Sequence, residues 1–196
     1  MALLLEHPLG ATPTSYALSA LMCFNEARLP ARLDASGRLK SLFHQDRSMW
    51  DQDLVGEGFQ LLELSARDSE LTEYHLEAAI AAVHAKASSM HDTDWGKIAS
   101  LYDTLFLIRP SPIVALNRAI AIGQRDGSER GLQELRAIAG AERLLNYPFY
   151  HAAFGESELQ SGRAAVAREH FSKALGLSRD AMERRFFELR LNACGN

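Results

Sequence analysis

Residues 43–53, FHQDRSMWDQD, bring together an imidazole (His44), a guanidinium (Arg47), an indole (Trp50) and three carboxylates (Asp46, Asp51, Asp53). His44, Asp46 and Asp51 are of the types that ligate a divalent metal or carry acid–base chemistry. The same residues also suit the start of a helix. Asp46 stands where an N-cap would, its carboxylate meeting free amides and the positive end of the helix dipole. Arg47 and Asp51 are four apart, the spacing of a surface ion pair. Trp50 joins Leu54 on an apolar stripe, and Asp53 faces solvent. Each conspicuous residue except His44 then has a structural task, so the stretch reads as architecture in preference to catalysis.

His84, His91, Asp92 and Asp94 are a second candidate metal set. The histidines are seven apart, whereas a zinc-protease helix needs two His four apart with a Glu between them. Asp92 and Asp94 read as caps of the helix that follows. In SPIVALNRAIAIG, Asn117 and Arg118 interrupt an apolar helix, and an unpaired buried Arg is costly. Either Asn117 lines a groove that grips a peptide backbone, or both residues are bonded internally, with Arg118 or Arg109 holding a carboxylate such as Asp103. Both readings stand. The chain contains no phosphate loop, nucleophile elbow or Cys-His cluster, and Cys23, between Met22 and Phe24, reads as a small buried hydrophobe. The expectation is a protein with no catalytic residues, no cofactor and no metal, so not an enzyme.

The elements that must position these residues are helical throughout. Apolar residues recur at helical spacing over 14–27, 46–66 and 73–90, with Asp92 and Thr93 as caps for a helix that stops at Arg109-Pro110. Ser111-Pro112 opens the next, with Ser as cap and Pro in the first turn. Further helices are expected at about 112–125, 128–139, 149–161, 163–176 and 179–193, and no segment alternates with period two. Their short connections make neighbours antiparallel. Residues 148–181 follow the tetratricopeptide pattern: Gly155 is the small residue of a first helix, Gly162 the turn, and Ala167, Phe171 and Ala174 the small-aromatic-small set of a second. Weaker copies use Ile98, Tyr102, Leu105 and Pro110, then Gly131, Leu135 and Ile138. The fold class is therefore all-α: a bundle-like part over 1–90, then a tetratricopeptide-like array over 91–196, or one continuous domain.

A net charge of −4 argues against a broad nucleic-acid face. The arginines near the end, Arg163, Arg168, Arg184, Arg185 and Arg190, alternate with Glu158, Glu169, Glu183 and Glu188 and read as a solvated face. Two distant cysteines suggest a reducing cytoplasm. The start, MALLLEHPLG, has neither the basic flank of a signal peptide nor the length of a membrane span.

Six stretches in order, LMCFNEARLPARLDASGRL, HQDRSMWDQDLVGEGFQLL, YHLEAAIAAVHA, DTDWGKIASLYDTL, SPIVALNRAIAIG and ERRFFELRL, resemble the C-terminal extension of extracytoplasmic-function (ECF) RNA polymerase sigma factors that carry tetratricopeptide-like repeats. The resemblance runs from about Leu21 to Leu191. It implies a regulatory module that binds protein, either sigma domains or core polymerase, rather than nucleic acid or membrane. QDR and WD are motif positions of that family, and they direct attention to Asp46, Arg47 and Asp51 and to the neighbouring Arg28 and Arg32. No sigma DNA-binding helix can be read in the chain. It is then either part of a longer sigma factor or a free-standing scaffold for a peptide or protein partner, of unknown oligomeric state.

Overall fold

The computed structural model describes residues 11–67 and 70–195, and there the chain is all-helical, as expected. The N-terminal MALLLEHPLG lies outside the described residues. The helices divide into two compact units, one of residues 1–33 and 40–109, the other of 34–39 and 110–196.

The first unit holds α1 (Pro13–Ala27), α2 (Gln52–Ser65), α3 (Glu73–Lys86) and α4 (Trp95–Ile108). α1 opens on a capping box. Thr12 Oγ1 accepts from the Ser15 amide at 3.1 Å, and Ser15 Oγ accepts from the Thr12 amide at 2.9 Å. α1 packs on both α2 and α3, and α4 packs on α3. The core is built from Ala20, Phe24, Ala27, Val55, Leu61, Ala78 and Ala82, whose many small side chains let the helices approach closely. Gly58 is part of that fit: a Cβ there would stand 2.7 Å from Cε1 of Phe24.

Two expectations need correction here. The helix expected from Asp46 begins only at Gln52, because the two aspartates cap two separate elements. Asp46 caps a single 3-10 turn, Arg47–Met49, and Asp51 caps α2. Trp50 lies between them in extended conformation, off the α2 stripe. The division expected near residue 90 falls instead at Arg109–Pro110, since α4 packs on α3 and belongs to the first unit.

The second unit holds α5 (Pro112–Asp126), α6 (Ser128–Arg136), α7 (Pro148–Gln160), α8 (Ala164–Leu177) and α9 (Ala181–Ala193). Ser111 Oγ accepts from the Val114 amide at 3.2 Å, with Pro112 in the first turn. α6 is shorter than expected, ending at Arg136; Gly140 follows in the left-handed region and leads a 3-10 turn over Ala141–Leu144. α5 pairs with α6 and α7 with α8, and α9 packs on α8. The second pair repeats the first at a step of 36 residues, Pro148 against Pro112 and Ala164 against Ser128. The turns between partners are tight and need positive φ, supplied by Gly127 (98°) and Gly162 (77°).

Contact within each pair depends on glycine. A Cβ on Gly155 would lie 2.8 Å from the fully buried Phe171 ring. A Cβ on Gly131 would lie 2.8 Å from the Gly123 Cα, so that α5 and α6 cross almost backbone to backbone. Ala167, Phe171 and Ala174 are completely buried, the positions read from the repeat pattern.

Gly131→Ala should therefore destabilise the fold by about 1–3 kcal/mol, since backbone has to move. Gly56→Ala, mid-helix where a Cβ meets nothing within 4 Å, should stabilise by about 0.5–1 kcal/mol. Denaturant unfolding of the two variants checks both signs.

Candidate functional site

Of the residues singled out by sequence, Arg28 and Arg47 converge on Trp50, which is 3% exposed. α1 ends at Ala27, whose carbonyl accepts the Asp51 amide at 2.9 Å and so brings the end of α1 to the start of α2. This places Arg28 with its guanidinium 5.6 Å from the centre of the Trp50 ring, while Arg47 approaches the same ring to 5.5 Å. Two cations share one indole, whose electron-rich face attracts both. Nε of Arg28 donates to Oε1 of the buried Gln45 at 3.4 Å, and Nε2 of Gln45 donates to the Lys40 carbonyl at 3.3 Å.

Arg47 is 6% exposed. Its Nη1 donates to the carbonyls of His84 (2.8 Å) and Ala87 (3.0 Å), which lie at the C-terminal end of α3. Its Nη2 donates to Thr93 Oγ1 (2.9 Å) and contacts Met90 Sδ (3.3 Å). Thr93 Oγ1 in turn donates to the Ser89 carbonyl at 2.9 Å. A helix ends with carbonyls that lack partners and a partial negative charge, and Arg47 answers both. It also holds the 87–93 connection that leads into α4. The surface pair with Asp51 expected for Arg47 does not exist, because the guanidinium turns inward and Asp51 Oδ1 accepts from the amides of Asp53 (3.0 Å) and Leu54 (3.1 Å).

His84 lies against this cluster. Its ring meets Trp95 edge-on at 5.3 Å, and its Nδ1 is buried without a hydrogen-bond partner. Burial, and then the charges of Arg47 and Arg28, push its pKa down to about 3. Asp46 is exposed and accepts from the amide (3.0 Å) and hydroxyl (2.6 Å) of Ser48, with its pKa lowered by those bonds and by the charge of Lys40. His44 is exposed, with Nδ1 2.8 Å from Ser41 Oγ. His91 is exposed as well. Asp94 caps α4 through the Lys97 amide (2.8 Å), whereas Asp92 accepts from Ser88 Oγ (2.5 Å) and Ser89 Oγ (2.7 Å). Among the described residues no three His, Cys, Asp or Glu side chains come together as a ligand set, so neither candidate metal site assembles.

The remaining predicted positions do not join the Trp50 cluster. Arg32 is exposed. Arg109 pairs with Glu73 at 2.7 Å, within the first unit. In the second unit Arg118 pairs with Glu134 at 2.8 Å, bridging α5 and α6, and Asn117 is exposed on α5. The face expected to be fully solvated contains a buried acid. Glu158, 3% exposed, is bound by Arg136 (3.2 Å) and by Arg163, which also reaches Glu129. Sequence reasoning missed Glu158 because mixed charges at helical spacing look alike whether exposed or buried. It missed Gln45 too, although Gln45 belongs to the quoted QDR triplet, and it read Thr93 as a helix cap, whereas Asp94 is the cap and Thr93 binds Arg47.

Residues 1–66 match the Family of unknown function (DUF6596), a stretch that contains Arg28, Gln45, Arg47 and Trp50. The chain is 36% identical over 182 residues to Uncharacterized protein R00370 of Rhizobium meliloti (strain 1021). That alignment covers 93% of this chain and 43% of the relative, so the chain spans less than half of that protein's length. No solved structure matches. No helix among the described residues is long and apolar enough to cross a membrane.

Arg47→Met should cost about 2–4 kcal/mol in denaturant unfolding, because it strands buried carbonyls and a hydroxyl. Asp51→Ala should cost only about 1 kcal/mol, the worth of a helix cap. For His84 the sign with pH is fixed: the unfolded chain takes its proton near the ordinary value of 6.5, the folded one only near 3. Its contribution is complete above pH 6.5 and is lost as pH falls towards 3. Across that window the wild type should lose more stability than His84→Phe; equal losses would rule this out.

Proposed function

We propose that this chain is a regulatory protein–protein interaction module of an ECF-type RNA polymerase sigma factor, acting in the cytoplasm. The observation that carries the reading is the ordered set of six family-like stretches, which are spread from about Leu21 to Leu191. The helix pairs of the second unit support it, since stacked pairs offer extended surfaces for protein partners. The length of the Rhizobium meliloti relative supports it as well, because more than half of that protein lies outside the matched region, as an extension joined to further domains would require. The chemistry-bearing residues around Trp50 hold helices in place, in keeping with a module that works by binding.

In this mechanism the module docks on the sigma domains or on core polymerase. By binding two states of the assembly with different affinity, it biases polymerase recruitment or promoter opening.

Removing the module from the native protein should change sigma-dependent transcription by at least about fivefold, the lower end of usual coupling free energies. Reconstituted transcription on the cognate promoters measures it. Unchanged output at all of them would refute the proposal.

A further inference from the structure

The first unit carries a group of positive charges that no ion pair among the described residues neutralises. Among the described residues Arg28 and Arg32 form no ion pair, and the hydrogen bond of Arg28 goes to a neutral amide. Burial, followed by the charges of Arg32 and Arg47, lowers the pKa of Arg28. Lys40 belongs to the same neighbourhood, its amide donating to the Arg32 carbonyl at 2.8 Å, and its charge is felt by Asp46. Three carboxylates of the neighbourhood are already engaged: Asp46 accepts from Ser48, Asp51 accepts from the amides of Asp53 and Leu54, and Asp34, two positions after Arg32, binds Arg38 at 2.8 Å.

Exposed apolar side chains are interleaved with these cations. Leu29 is 44% exposed, Leu33 43% and Met49 48%. The 3-10 turn Leu29–Ala31 packs against the turn Arg47–Met49, which places Leu29 and Met49 on adjacent turns, and Leu33 follows Arg32 directly. In a chain with a net charge of −4, a surface that combines the exposed guanidinium of Arg32 and the half-buried one of Arg28, neither in an ion pair among the described residues, with three exposed aliphatic side chains is a local specialisation.

We propose that this surface docks an acidic amphipathic helix of a partner protein, its carboxylates on Arg28 and Arg32 and its apolar side chains on Leu29, Leu33 and Met49. Carboxylate is the complement of a guanidinium fork. A phosphate backbone would satisfy the arginines but leave the three aliphatic side chains in water, so the apolar component selects protein over nucleic acid. The inference rests on the reading of the chain as a protein-binding module, and it does not depend on that partner being a sigma domain.

The test is an NMR titration of the full chain, methyl-labelled at Leu and Met, with three probes. These are a synthetic helical peptide with Glu on one flank and Leu on the other, its Gln-for-Glu counterpart, and a single-stranded oligonucleotide. The acidic peptide should shift the methyls of Leu29, Leu33 and Met49, and the Gln peptide should bind more weakly. Arg32→Glu and Met49→Glu should each weaken the acidic peptide by about tenfold. Both side chains are exposed, and unchanged thermal unfolding verifies the fold of each variant. The proposal is overturned by no binding, by shifts elsewhere in the chain, by equal affinity for the two peptides, or by tighter binding of the oligonucleotide on these methyls. Peptide binding here together with unchanged transcription on module removal would retain the docking surface and discard the sigma assignment; the opposite pair of results would do the reverse.

Discussion

One guanidinium organises the first unit. Arg47 reaches from a short turn before α2 to the open end of α3, and its donors span the carbonyls of His84 and Ala87 and the hydroxyl of Thr93. A buried charge is tolerable only when its donors are met, and here nearly all are, with Nε the exception. The consequence is a fixed path for the chain from α3 into α4. The same side chain lies against Trp50, and its charge adds to the burial that lowers the pKa of His84, so burial, aromatic contact and charge meet around one residue.

Around this clamp, helix spacing is set by small residues. Gly58 admits the Phe24 ring in the first unit; Gly155 does the same for Phe171 in the second, and Gly123 and Gly131 let two backbones cross. Such contacts give dispersion without long side chains to order, and they leave no room for even one added methyl group. The second unit adds a polar layer, in which Glu158 is bound by Arg136 and Arg163 between α6 and α8, and Arg190 binds Glu156 at 2.6 Å to tie α9 to α7.

The concentration of chemistry-bearing residues in FHQDRSMWDQD is thereby explained without a reaction. Three of them finish helices or turns: Asp46 and Asp51 at N-termini, Arg47 at a C-terminus. Residues suited to catalysis are also those suited to capping, because both tasks require a polar group presented at short range to an unsatisfied backbone or substrate atom. Arg28, over Trp50 and bonded to Gln45, and the exposed Arg32 are in no ion pair among the described residues.

The sequence by itself determined the helical class, most of the helix limits and the repeat signature, because these depend on neighbours within a few residues. Ser111 and Pro112 start α5 through contacts three positions away, and Gly162 turns the chain through its own φ. Asp51 as the cap of α2 was within reach too, had the two aspartates been weighed as competing starts. The partners of Arg47 lay beyond it: they stand 37 to 46 positions further along the chain. The spacing to Asp51 offered a local alternative that looked as good on paper. Only the tertiary structure could choose, because the choice depends on whether the turn before α2 packs against the end of α3, and burial then makes the α3 carbonyls the stronger claim on the charge. The same reason separates Glu158 from the other glutamates near it: helical spacing assigns a face, but which face is covered is decided by the helices that come to lie on it.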